Sequence, residues 1–354
     1  MHMIRVRARG EDVRRFILEH LEKHPGDLSK VTAEHFGITR QAVNKHLQRL
    51  TLEHAILESG KTRNRIYKLA PLLEWREHYE ITPELAEDRV WRDNISKTLG
   101  EMPDNVLNIW QYGFTEMFNN AIDHSSGKSI YVSISKTAIT TEILIRDDGV
   151  GIFKKIQTAL NLLDERHAIL ELAKGKLTTD PKRHTGEGIF FSSRMFNEFD
   201  ILSGGLFFSH KFSDKHDWLL ERDRFQSGTA VWMKLNNHTS RTAAKVFGHY
   251  TSGDDFGFTK TVVPVDLARY GNENLISRSQ AKRLLARIEL FKMVIFDFEN
   301  VPTIGQAFAD EIFRVFALSH PDIEIYETHS NSEVKRMIAR ARSGGSSNNE
   351  AIPT

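Results

Sequence analysis

FTEMFNNAIDH, residues 114–124, is the segment that decides the fold of the central part of this chain. Glu116, Asn120 and Asp123 stand at positions i, i+4 and i+7, so on a helix they share one face. The other face is apolar and is expected to be buried; it comprises Phe114, Met117, Phe118, Ala121 and Ile122. A carboxylate and an amide one turn apart suit a metal-bound phosphate, because the amide oxygen ligates Mg²⁺ while the carboxylate orients an attacking hydroxyl.

A second segment follows a predicted strand further along the chain. The alternating run TEILIR, residues 141–146, predicts a strand that ends in Asp147, and DGVGI follows at residues 148–152. A carboxylate at a strand end can accept a hydrogen bond from an exocyclic amine such as that of adenine. Gly149 and Gly151 allow the backbone to approach a ligand closely.

The third segment is HTGEGI, residues 184–189. Gly186 and Gly188 precede an apolar run predicted to form a helix over residues 189–199, whose free N–H groups and dipole would face a phosphate. Gly228 and Thr229 precede a further predicted strand. Each segment alone is weak evidence, whereas their order and spacing together are specific.

The motifs E-x-x-x-N-x-x-D, D-x-G-x-G, G-x-G and Gly-Thr, in this order within residues 95–236, resemble those of the GHKL superfamily of ATPases, which includes gyrase and the histidine kinases. Members of this superfamily bind ATP in the Bergerat fold, an α/β sandwich with a mixed, mostly antiparallel sheet and helices on one face. The resemblance implies that Glu116 is the general base and that Asn120 ligates Mg²⁺. Asp147 would bind the adenine amine, with Thr229 beside it.

The same resemblance implies the other residues of an ATP site. Gly149 and Gly151 would line the purine, and Gly186 and Gly188 would cradle the phosphates. Their neighbours in the motifs complete the expected site: Asp123, Ile152, Thr185, Glu187 and Ile189. The stretch before the third motif corresponds to the lid over the nucleotide, and its candidate cations are Lys176, Lys182 and Arg183, each of which is equally explained as a solvated loop charge.

The N-terminal segment is basic. Residues 1–70 carry 14 Lys and Arg against 8 Asp and Glu, a net charge of +6 that favours an anionic partner. Apolar spacing predicts helices over residues 11–22, 28–36 and 40–52, and a short turn between the last two is typical of a helix-turn-helix. Residue types that read base edges and contact phosphates are expected on the exposed face of the third helix: Thr39, Arg40, Gln41, Asn44 and Lys45.

A hairpin with a basic tip is predicted for residues 55–69. Residues 8–70 as a whole resemble the winged helix-turn-helix of bacterial transcription regulators, which implies DNA as a partner. Lys61, Arg63 and Arg65 would then lie along the DNA backbone or in a minor groove. A winged helix used for protein contacts or dimerisation is the alternative.

The C-terminal residues predict a small α/β domain, because strands and helices alternate around the apolar run KMVIFDF, residues 292–298. FDFENVP (residues 296–302) and FADE (residues 308–311) resemble a STAS-like domain of the anti-anti-sigma type. Classical STAS antagonists present a phosphorylatable Ser at the start of the next helix, whereas here residues 304–308 read IGQAF and Thr303 is the nearest hydroxyl.

The predicted architecture is an α+β multidomain protein. Its predicted parts are a winged helix-turn-helix (residues 1–71), a helical connector (72–100), a GHKL ATP-binding domain (101–237), a linker (238–256), a STAS-like domain (257–341) and a disordered tail (342–354).

Composition limits the class of protein. A chain of 354 residues is long enough for two or three domains, and 40% hydrophobic with 27% charged residues is ordinary for a soluble globular protein. No apolar run reaches the length of a transmembrane helix, so no membrane contact is expected. The absence of cysteine excludes disulfides and thiolate zinc sites and is compatible with the cytoplasm.

Several functions agree with these residues. The first hypothesis is an ATP-responsive DNA-binding regulator, expected to be a homodimer, in which Mg-ATP controls DNA binding or a protein partner of the STAS-like domain. A protein serine/threonine kinase of the anti-sigma type would use the same Glu116, and so would an ATP-operated DNA-sensing stress or defence component. A histidine autokinase is disfavoured because this chain lacks the acceptor helix that such kinases carry. An intact Glu116 argues against a module that only binds ATP.

Overall fold

The described residues fold into an α+β protein with two hydrophobic cores. The computed structural model describes residues 8–60, 65–177, 186–212, 217–252, 255–269 and 273–343. One core lies in the N-terminal residues, and the other is continuous from Val90 to Ala341. Among the residues described, every helix is too short or too polar to cross a lipid bilayer.

The N-terminal module consists of three helices and a two-stranded antiparallel hairpin. Its elements are α1 (Ala8–His20), α2 (Leu28–Phe36), α3 (Arg40–Leu52), β1 (Ile56–Ser59) and β2 (Ile66–Leu69). Thr39 caps the N-terminus of α3, since its side chain accepts a hydrogen bond from the Ala42 N–H at 3.2 Å. Ile17, Val43 and Leu47 are almost fully buried in this core, so the three helices pack through their apolar faces.

The central unit is built on a five-stranded antiparallel sheet with strand order β3-β4-β5-β7-β6. Its elements are β3 (Leu73–Glu80), α4 (Glu87–Val90, a π-helical turn Trp91–Ile95 and Ser96–Leu99), α5 (Asp104–His124), β4 (Ser129–Lys136), β5 (Thr140–Asp147), α6 (Ile152–Ala159), α7 (Arg166–Lys174), α8 (Gly188–Met195), β6 (Glu198–Lys211) and β7 (Asp217–Asn236). Helices α5 and α8 pack together beside the sheet. The predicted antiparallel sheet is therefore observed.

Helix α5 forms because its apolar residues recur at helical spacing. Phe114 and Phe118 are fully buried and stack on each other with ring centroids 5.2 Å apart. Trp110 is also fully buried and contacts the ring of Phe196, 4.8 Å away. This packing fixes the rotation of α5 about its axis and therefore the direction of its polar face.

The predicted helical connector at residues 72–100 is wrong in its first half. Residues Leu73–Glu80 form β3, which pairs with β4 along its whole length. Leu73, Trp75 and Tyr79 stand at odd positions and pack on the core, so the spacing follows the two-residue period of a strand. The helical prediction holds for α4, which carries the buried Val90, Trp91, Ile95 and Leu99.

The C-terminal unit has a three-stranded parallel sheet, β10-β11-β12, flanked by helices. A short helix and a hairpin lead into it: α9 (Ala243–His249), β8 (Thr251–Ser252) and β9 (Asp255–Phe258). Its own elements are β10 (Lys260–Pro264), α10 (Arg278–Leu285), β11 (Met293–Asp297), α11 (Gln306–Asp310, a π-helical turn Glu311–Phe316 and Ala317–Ser319), β12 (Glu324–Thr328) and α12 (Ser332–Ser343).

The linker predicted at residues 238–256 is largely structured. Helix α9 packs against α8, and Phe247 contacts the Phe191 ring at a centroid distance of 4.5 Å. Tyr250 lies 4.9 Å from the Phe190 ring. This stretch was predicted to be a linker because it is rich in polar residues. Its aromatic side chains nevertheless bury apolar area against the central unit. Of the predicted disordered tail, residues 342–343 end α12, and residues 344–354 lie outside the described part.

Separate cores predict separate responses to a core mutation. Ile17→Ala removes a fully buried side chain from the N-terminal core and should cost that module about 2–5 kcal/mol. Amide hydrogen exchange measured by mass spectrometry should therefore accelerate across residues 8–60 and stay unchanged in α5. Leu52→Ala, at a side chain that is 79% exposed in the same module, is the matched control. Faster exchange in α5 of Ile17→Ala would show that the two cores unfold together.

Candidate functional site

A cavity of about 260 Å³ opens between α5, the sheet, α6 and α8. Residues from all the sequence motifs line it: Glu116, Asn120, Asp147, Ile152, Gly186, Gly188, Ile189 and Thr229. Gly149 and Gly151, which were predicted to line the purine, lie in the turn that joins Asp147 to α6 and are not among the residues that line the cavity. The fold therefore brings together segments that are more than one hundred residues apart in the chain, from Glu116 to Thr229.

Asp147 is a buried carboxyl group at the end of β5. Its Oδ1 accepts hydrogen bonds from the backbone N–H of Gly149 at 2.9 Å and of Thr229 at 3.2 Å. Burial raises the pKa of Asp147, and the two backbone donors partly oppose that rise. Thr229 also accepts a hydrogen bond from the Ile152 N–H at 3.0 Å, so the strand end, β7 and the start of α6 are connected around this carboxyl group.

Glu116 projects from α5 toward the start of α8. A Cβ on Gly188 would lie 2.0 Å from Oε2 of Glu116, so a side chain at position 188 would displace the carboxylate from its present position. Tyr112 lies one turn earlier on α5, and burial together with the carboxylates of Glu116 and Glu187 raises the pKa of its phenol far above the usual value. The Tyr112 phenol therefore stays protonated wherever the protein is folded at ordinary pH.

Lys155 is a cavity residue that the sequence reasoning missed. It lies on α6, lines the cavity, and donates through Nζ to the backbone carbonyl of His124 at 2.5 Å. His124 follows Asn120 by one helical turn on α5, and both line the cavity together with Lys155. The sequence does place Lys155 shortly after the glycine pair at Gly149 and Gly151. It is one of two adjacent lysines near the start of a helix, however, and such pairs are common, so its position alone did not indicate a role.

Some predicted site residues do not line the cavity. Asp123 is exposed on the surface of α5, and Glu187 precedes α8 outside the cavity wall. Lys176, predicted as a lid cation, instead directs Nζ to the carbonyl oxygen of Leu290, 2.8 Å away, because aromatic rings and backbone oxygens of the C-terminal unit attract it. Thr185, Lys182 and Arg183 lie outside the described residues.

The cavity is polar at one end and apolar along its walls. Asn120 and Glu116 offer oxygen ligands one helical turn apart, which suits Mg²⁺, and Lys155 adds a positively charged group to the cavity lining. The walls are aliphatic and include Ile145, Ile156, Leu172, Ile201 and Val231. A flat apolar group that carries an amine for Asp147 and an anionic group for the opposite end would match these surfaces.

The predicted DNA-contacting residues of the N-terminal module share an exposed surface. Arg40, Gln41, Asn44 and Lys45 are exposed on α3, and Thr39 is exposed at its N-cap, whereas Val43, Leu47 and Leu50 of α3 are buried. Arg65 at the start of β2 pairs with Glu58 at 3.0 Å, and Lys61 and Arg63 lie outside the described residues. We call the five exposed α3 residues the α3 polar face.

Comparison with protein families identifies one segment. Residues 280–335 match a family model described as a STAS-like domain of unknown function (DUF4325). The matched segment includes β11, α11 and β12, so the predicted STAS-like character of the C-terminal unit is confirmed. A comparison with curated proteins finds no match to the chain.

Substitution of Gly228, which packs against the backbone of Asp147, is expected to destabilise the protein. Gly228 has φ of 78°, and a Cβ there would lie 2.1 Å from the carbonyl oxygen of Asp147. Gly228→Ala should therefore lower the free energy of unfolding by about 2 kcal/mol or more, through left-handed backbone strain and overpacking. Chemical denaturation measures the loss. Gly26→Ala, where a Cβ meets no atom within 4 Å, is the control, and equal stability of the two variants would contradict the packing described here.

Proposed function

We propose that this chain is an ATP-hydrolysing, DNA-binding regulator whose central unit is a Bergerat-type nucleotide domain. The observation that carries the proposal is that Glu116, Asn120, Asp147, Gly188 and Thr229 line one and the same cavity. These residues belong to four separate motifs whose order resembles that of GHKL ATPases, and their convergence on one cavity supports a shared ligand.

The cavity fits the parts of ATP. The Asp147 carboxylate is an acceptor for the adenine amine, and the aliphatic walls suit a purine ring. At the other end Asn120 would hold Mg²⁺, which when bound neutralises phosphate charge, and Lys155 would add a second positive charge. The close contact between Gly188 and Glu116 leaves the carboxylate beside the start of α8, where backbone N–H groups favour an anion.

Glu116 is the proposed general base. Its carboxylate would accept a proton from a water molecule as the water oxygen bonds to the γ-phosphorus, and the bond from that phosphorus to the bridging oxygen of ADP would break. The products are ADP and inorganic phosphate. Tyr112 stays protonated nearby and so adds no further negative charge next to Glu116.

Phosphate release from [γ-³²P]ATP tests this proposal. Glu116→Ala should lower the rate by about 100-fold or more, because general-base catalysis is worth that factor, while a fluorescent ATP analogue still binds. Asp147→Asn should instead weaken binding of the analogue, because an amide presents a poorer acceptor to the adenine amine. Glu74→Gln, an exposed carboxyl on β3, is the control for both. Undiminished release from Glu116→Ala would exclude this residue as the base.

A protein kinase of the anti-sigma type is the second candidate function. The observation that favours it is the STAS-like match within the same chain, because STAS proteins of that type are phosphate acceptors. Glu116 would then activate a serine or threonine hydroxyl instead of water. Label that stays on the chain or on an added STAS protein, with little free phosphate, would support the kinase and overturn hydrolysis as the main reaction.

The N-terminal module is the proposed DNA-binding part, as a winged helix-turn-helix. Its α3 polar face presents Arg and Lys for phosphates together with Gln and Asn for base edges. Two copies in a homodimer would place two such faces at a fixed spacing, and nucleotide-dependent dimerisation would change that spacing. The STAS-like unit would contact a protein partner that reads or sets the nucleotide state.

Salt dependence of DNA binding tests the α3 polar face. Lys45→Ala should weaken binding to all sequences and reduce the slope of log K against log salt by about 1, because one phosphate contact is lost. Fluorescence anisotropy with a labelled duplex measures both values. Lys335→Ala, an exposed cation on α12, is the control for total charge. An unchanged slope in Lys45→Ala would place the DNA elsewhere or exclude it.

A further inference from the structure

A short segment forms part of one cavity wall and is hydrogen-bonded to the C-terminal unit on its other side. We call residues 174–177, the last residue of α7 and the three that follow it, the bridging segment. Leu177 lines the cavity, and its N–H donates to the carbonyl oxygen of Gly186 at 2.9 Å. Leu172 on α7 lines the same wall. The position of this segment therefore sets the shape of the cavity beside Gly186 and Gly188.

The start of the bridging segment is anchored through a buried lysine. Lys174 is 1% exposed, and its Nζ lies 2.7 Å from Glu171 Oε1 and 2.8 Å from the carbonyl oxygen of Ala286. Thr261 on β10 donates to the carbonyl oxygen of Lys174 at 2.7 Å. Because an ammonium group removed from water requires such partners, α7 keeps this arrangement only while the C-terminal unit is in place.

Arg287 completes the connection from the C-terminal side. One terminal nitrogen of its guanidinium lies 3.0 Å from Glu171 Oε2, and the other donates to the carbonyl oxygen of Lys176. Lys176 returns a hydrogen bond to Leu290 O at 2.8 Å. A planar guanidinium can bridge a carboxylate and a carbonyl at once, which a lysine ammonium cannot do with the same geometry.

We infer that Arg287 is a positioning residue for the nucleotide cavity, and that the STAS-like unit regulates nucleotide affinity through the bridging segment. The inference rests on the proposed nucleotide function. Displacing the C-terminal unit would release the carbonyl oxygens of Lys174 and Lys176 and let Leu177 leave the cavity wall. By linkage, nucleotide that holds the wall in place strengthens the contact of α7 with the C-terminal unit.

Binding of a fluorescent ATP analogue with Mg²⁺ to the full chain tests this inference. Arg287→Ala should weaken affinity about fivefold or more, a typical coupling between sites, and Arg287→Lys should recover part of the loss. Arg269→Ala is the matched control, because Arg269 pairs with Asp266 at 2.9 Å within the C-terminal unit. Its affinity should stay within about twofold of the wild-type value, as expected without coupling.

Hydrogen exchange separates positioning from general destabilisation. In the wild-type chain, saturating nucleotide should slow exchange in β10 and in residues 286–291, which do not line the cavity, and Arg287→Ala should lose this response. If Arg287→Ala fails to fold, the nucleotide affinity of Arg287→Lys and the hydrogen exchange of the wild-type chain test the coupling instead. Wild-type affinity in a folded Arg287→Ala, or no nucleotide effect on residues 286–291, would overturn the coupling. Absence of nucleotide binding by the wild-type chain would instead overturn the proposed function, and the inference with it.

Discussion

The burial of one face of α5 is the constraint on which the rest of the structure depends. Trp110, Phe114 and Phe118 are fully buried, so α5 has one rotation that satisfies the core. That rotation places Glu116 and Asn120 at the border of the cavity and leaves Asp123 exposed. Burying three aromatic side chains is worth several kcal/mol, far more than the cost of orienting two polar groups. The positions of the polar residues thus follow from apolar packing.

Asp147 shows how burial acts on a polar group of the cavity. Burial raises its pKa, which means that the fold by itself disfavours the charged form, and backbone donors from Gly149 and Thr229 recover only part of that energy. A ligand that donates a hydrogen bond to this group favours its ionised form. Protonation of Asp147 and binding of an amine donor would therefore oppose each other in the proposed nucleotide site.

Local periodicity predicted much of the fold, while long-range contacts caused the errors. The helices of the N-terminal module and α5 follow directly from apolar spacing, and Glu116, Asn120, Asp147 and Thr229 were predicted and do line one cavity. The strand β3 was missed because its pairing partner, β4, lies some fifty residues later, at Ser129–Lys136. Lys176 was assigned to the lid from the resemblance alone, and its contact with Leu290 could not be predicted because no sequence pattern relates the two residues. Lys155 was missed because its role depends on where α6 meets the end of α5.

The aromatic contacts around Phe258 explain why the C-terminal unit cannot be an independent appendage. Its ring lies 4.6 Å from Phe190 and 4.9 Å from Phe191 on α8, and 5.3 Å from Phe291 in the C-terminal unit. Phe258 and β10 both precede the segment that matches the STAS-like family, so the contact to the central unit uses residues outside the matched part. A shared core of this kind resists gradual sliding, because close-packed side chains have few alternative arrangements. Movement between the two units is therefore expected to switch between discrete states rather than to vary continuously.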